Sequence, residues 1–263
     1  MTMILKDVKE YVKLLKRTFV YRISQLSEAP RLAIVQVGNN EASNRYVKNK
    51  VKDCEEVGIV ADIYNYPTDM TEFELDDELN HLQEFYDGVI VQLPLPPHIR
   101  QKVATAAISP EKDVDGFRSD SKFIPATPKG IMDYLDYCGF DVDGKLVVVI
   151  GRSEIVGKPM AQLLLEKNAT VVMCHSHTAK EDLNDLLFLA DLIICAVGKA
   201  EFLDCTRIGC PVIDVGINFD DNGKLVGDCY NIENREVTPV PGGVGLLTRC
   251  ALLDNVILAK EEN

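Results

Sequence analysis

The chain has 263 residues, 46% of them hydrophobic and 26% charged, which is a globular composition with length for two α/β domains. A formal net charge of −13 argues against nucleic acid or an anionic membrane as a partner, although it leaves room for a local basic pocket. No stretch reaches membrane-spanning length, and eight cysteines with no CxxC pair and no secretory context point to reduced thiols in a cytoplasmic protein.

The N-terminal stretch MTMILKDVKEYVKLLKRTFVYRISQLSE spaces its apolar residues as an amphipathic helix, not as an export signal. RLAIVQVG (31–38), VADIYNY (60–66) and YDGVIVQLPLP (86–96) are apolar runs bounded by turn residues and separated by helical segments. That alternation is the pattern of a mostly parallel sheet covered on both faces. The helical segment NRYVKNKVKDCEEVGI (44–59) contains an anomaly. At about 100° per residue, Tyr46, Val47, Val51, Cys54 and Val57 share one arc and Lys50 projects from its middle, while Arg45, Lys48, Lys52, Glu55 and Glu56 fall opposite. A lysine aimed inward either snorkels its ammonium back to water or holds it partly desolvated, with a lowered pKa suited to proton exchange near neutrality. Tyr46, one turn earlier, is placed either to stack on a flat ligand or to fill the rim of a core. Gln92 ends the third run, just before prolines that cannot extend a ladder. Asp113 and Asp115 flank a valine in EKDVDGF, where Gly116 permits a tight turn that would present one of them.

The stretch SPEKDVDGFRSDSKFIPATPKG is polar and contains Pro and Gly, and it reads as a connection between lobes. A second series follows: KLVVVIG, ATVVMCH, ADLIICAVG and CPVIDVG, with starts roughly 20 residues apart as strands with helical crossovers require. GVGLLTRCALLDNVILAKEE closes the chain as a helix. The expected fold is α/β in two lobes with a cleft between them. Residues 1–118, completed by the C-terminal helix 246–263, form a three-layer catalytic domain, and residues 119–245 a Rossmann-like, parallel-sheet cofactor domain.

In the second lobe, VVVIGRSEIVGKPMAQLLL is a strand, a glycine turn and a helix with Pro159 near its start. Such a turn can aim backbone N–H groups at a phosphate, although Gly151-x-Ser153-x-x-x-Gly157 is not the G-x-G-x-x-G spacing and also fits an ordinary strand-to-helix turn. The next strand ends CHSHT, offering Ser176, His177 and Thr178 and no carboxylate, and Arg152 lies in the first turn. Hydroxyl and basic groups in place of an acid favour NADP over NAD, with His177 equally readable as a surface histidine. Cys195 lies in an apolar run and reads as packing, and no metal site is expected.

These segments together resemble the methylenetetrahydrofolate dehydrogenase/cyclohydrolase family, the bifunctional folate enzymes often called FolD. The resemblance is carried by VQVGNNEASNRYVKNKVKDCEEVGI, GVIVQLPLP, PEKDVDGF, TPKGI, GRSEIVGKPMAQLLL, DVGIN, GKLVGD and TPVPGGVGLLT, over nearly the whole chain. It implies oxidation of 5,10-methylenetetrahydrofolate to the methenyl compound with NADP⁺, followed by hydrolysis to 10-formyltetrahydrofolate. Lys50 matches the lysine of the family's Y-x-x-x-K motif, the acid/base group of the hydrolytic step. Gln92 would hydrogen-bond that amine and hold its pKa down, Asp115 would orient the pterin, and Tyr46 would stack near the folate. Leu93 and the Pro241, Gly242, Gly243 turn are implied substrate contacts. Gly151, Arg152, Ser153, Ser176 and Ile217 are implied cofactor contacts, to which the reading of the glycine turn and the strand end adds Gly157, Pro159 and His177, the last at a position that varies in the family. The resemblance also implies a homodimer joined through the cofactor lobe. The chain departs from the family pattern at Ala126, where many members have cysteine, at Leu246, where proline is usual, and in N-N-E-A-S, where D-D-P-A-S is common. The rival readings are a monofunctional, NAD-linked dehydrogenase and a non-catalytic nucleotide sensor. The intact Tyr46, Lys50, Gln92 and Asp115 set argues against both.

Overall fold

A computed structural model describes residues 5–233 and 235–262, apart from the side chains of residues 41 and 42. The first four residues of the N-terminal helical segment therefore lie outside the described residues. The chain divides into two compact units, one of Leu14–Ala126 with Arg249–Asn263, the other of Met1–Lys13 with Thr127–Thr248.

After helix α1 (Val8–Ser24), the first unit runs β1 (Arg31–Val37), α2 (Glu41–Val57), β2 (Val60–Tyr66), α3 (Glu72–Leu82), β3 (Gly88–Val91) and α4 (Gln101–Ala106). The three strands are parallel in the order β2-β1-β3. Central β1 is buried at every position after Arg31, which is why it reads as an unbroken apolar run, whereas edge strand β2 is only partly covered. On one face of the sheet, Leu75, Leu79 and Leu82 recur at helical spacing along α3 and pack on Val35, Val89 and Val91. Thr71 and Glu74 close a reciprocal capping box at the start of α3. The sequence predicts a strand within 86–96, and only Gly88–Val91 pairs. The Gln92 N–H still donates to the Val35 carbonyl at 2.8 Å. The prolines at 94, 96 and 97 then end the ladder.

The second unit comprises α5 (Ala126–Cys138), β4 (Leu146–Ile150), α6 (Gly157–Glu166), β5 (Thr170–Cys174), α7 (Lys180–Leu189), β6 (Leu192–Cys195), β7 (Leu203–Asp204), β8 (Val212–Asp214), β9 (Asn218–Phe219), β10 (Leu225–Val226), β11 (Cys229–Tyr230) and the start of α8 (Val244–Glu261). Its main sheet is parallel in the order β5-β4-β6-β8. The two-residue strands pair as β9 with β10, antiparallel, and β7 with β11, parallel.

In each main sheet the strand order reverses beside the first strand, between β1 and β3 and between β4 and β6. A parallel sheet opens a crevice at the carboxyl ends of the strands flanking such a reversal. Gln92 follows β3, and Gly151 follows β4, so both stand at those positions.

Candidate active site

Lys50 is presented by α2, which starts where the Asn40 side chain accepts the Ser43 N–H and stops at Gly58, whose φ of 96° needs no Cβ penalty. The inner arc of the helix forms as its periodicity requires. Val47, Cys54 and Val57 are buried, Tyr46 and Val51 are half-buried, and Arg45, Lys48, Lys52, Glu55 and Glu56 are exposed. The Lys50 side chain is only 11% exposed, and its Nζ lies 4.0 Å from Oδ2 of Asp115, itself 10% exposed. The ammonium does not snorkel to water; it faces a buried carboxylate.

Asp115 holds that position because its loop is pinned on several sides. Val89 N–H donates to the Lys112 carbonyl, Ala126 N–H to the Asp115 carbonyl, and Asn255 Nδ2 to the Val114 carbonyl at 2.9 Å. Gly116 turns the chain at a φ of +70°, and a Cβ there would stand 2.7 Å from the Pro125 backbone. The two aspartates of the motif separate in role. Asp113 accepts the Arg118 N–H at 2.8 Å and so serves the loop itself. Asp115 faces Lys50. Burial pushes the Asp115 carboxyl above the ordinary aspartate range, and Lys50 pulls it partly back.

Gln92 donates through Nε2 to the Leu93 carbonyl at 2.8 Å, and the Ser43 hydroxyl at the start of α2 reaches the same oxygen at 3.4 Å. The turn after β3 is thereby tied to the first turn of α2. Its other amide atom, Oε1, is buried without a hydrogen-bond partner among the described residues. A buried acceptor left open at the carboxyl end of a strand makes Gln92 a candidate for ligand recognition.

Periodicity did not reveal Asp53, one turn beyond Lys50 on α2, which is buried and accepts from Lys16 Nζ at 2.5 Å and from Arg249 Nε. Arg249 also acts on Tyr46: burial raises the phenol pKa, and the nearby guanidinium lowers it. No local signal marks this group, because Arg249 and Asp53 are far apart in sequence.

The second unit gathers the remaining candidates at the carboxyl end of its sheet. Gly151 follows β4 at a φ of +115°, and a Cβ on it would meet the Ala196 carbonyl oxygen at 2.1 Å. A Cβ on Gly157 would meet the Gly151 oxygen at 2.3 Å. Both glycines are therefore required for the β4–α6 turn to close this tightly. Ser153 Oγ accepts the N–H groups of Val156 and Gly157 at 3.2 Å, capping α6, with Pro159 in its first turn. Arg152 and Ser153 are exposed beside the turn, as are Ser176 and His177 after β5. The Thr178 hydroxyl is committed to the His175 N–H at 2.9 Å. Ile217 is 42% exposed beyond β8. This cradle fits a dinucleotide: a turn with no side chain in the way, a helix N-terminus, and hydroxyl and cationic groups where an extra phosphate would lie. Pro241, Gly242 and Gly243 form the turn before α8, where Gly242 has a φ of +103° and a Cβ on Gly243 would stand 2.4 Å from the Pro239 oxygen.

Residues 2–115 match the family model for the catalytic domain of tetrahydrofolate dehydrogenase/cyclohydrolase, and residues 125–263 match that for its NAD(P)-binding domain. The chain is 42% identical to a bifunctional protein FolD of Lysinibacillus sphaericus, over 97% of this chain and 95% of the relative. Among solved structures, the bifunctional FolD of Campylobacter jejuni superposes with a TM-score of 0.92 at 38% identity, covering 97% of this chain and 98% of the other. The Trypanosoma brucei dehydrogenase-cyclohydrolase, solved with NADP and an inhibitor, also gives 0.92, at 30% identity over 100% and 98% of the two chains. With the glycine turn of one unit and the Lys50–Asp115 pair of the other both in place, the chain belongs to the tetrahydrofolate dehydrogenase/cyclohydrolase family.

Proposed function

We propose that this protein oxidises 5,10-methylenetetrahydrofolate to 5,10-methenyltetrahydrofolate with NADP⁺ and then hydrolyses the product to 10-formyltetrahydrofolate. The observation that carries the reading is the buried Lys50 ammonium 4.0 Å from buried Asp115. NADP⁺, when bound, supplies the hydride acceptor, so the oxidation asks the protein chiefly for placement.

Placement falls to Asp115, whose carboxylate is buried, fixed by its loop, and suited to accept from the N–H groups of a pterin edge. Tyr46 offers its half-buried ring to the flat part of the folate, and Leu93 and the Pro241–Gly243 turn line the substrate. Hydrolysis needs a proton manager. Water adds to the methenyl carbon and loses one proton; the hydroxyl so formed loses its second proton as the bond from that carbon to N5 breaks, N5 takes one proton, and one is released overall. Lys50 holds and moves these protons, and Gln92, whose buried Oε1 has no partner among the described residues, offers an acceptor to direct the amine during turnover. Gly151, Ser153, Gly157 and Pro159 cradle the pyrophosphate, Arg152 with Ser176 and His177 receives the extra phosphate of NADP, and Ile217 packs on the nicotinamide half. The boundaries 1–118 with 246–263, and 119–245, are the division of labour proposed for the chain.

A cytoplasmic setting suits the eight free thiols. A homodimer formed through the second unit is favoured by the exposed edge of β5 and by Phe188 and Leu189 of α7, which are 86% and 63% exposed. The deciding experiment is a coupled assay of methylenetetrahydrofolate oxidation with NADP⁺ and NAD⁺ side by side, following both reduced cofactor and methenyl product. Turnover with NADP⁺ and onward loss of the methenyl compound is expected. Reduced cofactor accompanied by a stable methenyl product would leave only the dehydrogenase.

A further inference from the structure

Asp228, the last residue of GKLVGD, takes no part in the chemistry above, yet it is fully buried. Its carboxylate accepts four hydrogen bonds. Oδ2 takes the N–H groups of Val197 and Gly198 at 2.7 and 2.9 Å, and Oδ1 takes the Lys199 N–H at 2.8 Å and Asn218 Nδ2 at 2.9 Å. Three successive backbone N–H groups turned onto one anion make a nest of the kind that usually holds a phosphate. Here the chain fills it with its own carboxylate.

The donors come from two segments that matter. Residues 197–199 leave β6 at its carboxyl end, and Asn218 follows Ile217 beyond β8. The first segment also backs the phosphate turn: the Ala196 N–H donates to the Ile150 carbonyl at 2.8 Å, and its oxygen occupies the space a Cβ on Gly151 would need. A second aspartate steadies the first, since Asp214 Oδ1 accepts the N–H groups of Gly216 and Asp228 at 2.9 and 3.0 Å. The glycines fit this arrangement. A Cβ on Gly216 would stand 2.2 Å from Asp228 Oδ1, and one on Gly227 2.0 Å from Asp214 Oδ2.

We propose that Asp228 is a positioning residue for the dinucleotide: an internal anion that occupies the nest after β6, ties it to the segment carrying Ile217, and leaves the Gly151 turn as the place for pyrophosphate. The inference rests on reading the second unit as an NADP site. Substituting Asp228→Asn keeps the shape but turns an NH₂ toward donors, so hydrogen bonds on that side are lost and become repulsive.

The test compares wild type, Asp228→Asn and Asn218→Ala in three measurements. These are NADP⁺ affinity by calorimetry, dehydrogenase kinetics against NADP⁺, and hydrolysis of methenyltetrahydrofolate without cofactor. In Asp228→Asn, Kd and KM for NADP⁺ are expected to rise about tenfold or more with dehydrogenase kcat held within about threefold. Hydrolysis is expected to stay within about twofold, because Lys50 and Asp115 lie in the other unit. If Asp228→Asn does not fold, Asn218→Ala, which removes one donor of the four, decides, with an expected loss in NADP⁺ affinity of about threefold to tenfold. Unchanged NADP⁺ affinity in a folded variant, or equal losses in both activities, overturns the role. Wild type that fails to bind NADP⁺ would instead bring down the reading of the second unit itself.

Discussion

Replacing Asp115 by asparagine should damage function while leaving the fold as stable or more so, and the sign follows from its surroundings. An attraction between unit charges at the 4.0 Å separation from Lys50 is worth about 4 kcal/mol at an effective dielectric constant of about 20. The loss of hydration on burial outweighs it, since the carboxyl pKa is raised in spite of Lys50. A raised carboxyl binds its proton more tightly in the folded chain than in the unfolded one. Its contribution to stability is therefore fully present below the ordinary aspartate pKa and is lost as pH rises through the raised value. Asparagine mimics the protonated form and escapes that loss. Every tenfold preference for the protonated form corresponds to about 1.4 kcal/mol, or about 3–6 °C in Tm for a chain of this size class. Thermal unfolding of parent and Asp115→Asn from pH 4 to pH 8 should show the variant gaining on the parent as pH rises and the two converging in acid. KM for methylenetetrahydrofolate should rise at least about tenfold with the loss of a charged acceptor. A variant that is less stable than the parent at pH 8, with a deficit that shrinks toward pH 4, would refute the reasoning, because the ionised carboxylate would then be a net asset to the fold.

Gln92→Met removes a buried acceptor that has no partner among the described residues together with one hydrogen bond to the Leu93 carbonyl, so unfolding should show no loss beyond about 1 kcal/mol. Hydrolysis should nevertheless slow about tenfold to a hundredfold as Lys50 loses the group that directs it; an unchanged rate would free Gln92 from the mechanism. Arg152→Ala should cut kcat/KM for NADP⁺ by about tenfold to a hundredfold, the worth of a charge-assisted contact, and leave NAD⁺ rates nearly unchanged. Equal losses with both cofactors would place Arg152 on the shared pyrophosphate.

What a single sequence reveals here depends on how far apart the cooperating residues lie. The inward aim of Lys50 was legible because it rests on the 3.6-residue period of one helix, and every residue placed on the outer arc of α2 is exposed. The β1, β4 and β6 runs were legible because strands buried on both faces carry continuous apolar sequence. Local pattern alone does not divide Asp113 from Asp115, which only the family resemblance sets apart in the sequence. Both flank the same valine, and only the closure of the loop onto the Arg118 N–H commits one of them. The Asp53–Arg249 contact and the Asp228 nest join segments that no local pattern connects. Strands β7, β9, β10 and β11 have two residues each, too few to set a period.

The most direct measurement is a progress curve for Lys50→Met with methylenetetrahydrofolate and NADP⁺, following NADPH and the methenyl compound together. With the proton manager gone, hydrolysis should fall by about 10²–10⁴-fold. NADPH and methenyltetrahydrofolate should then accumulate in equal amounts, and the methenyl compound should persist in a folded protein. Decay of the methenyl compound at the parental rate would contradict the assignment of Lys50.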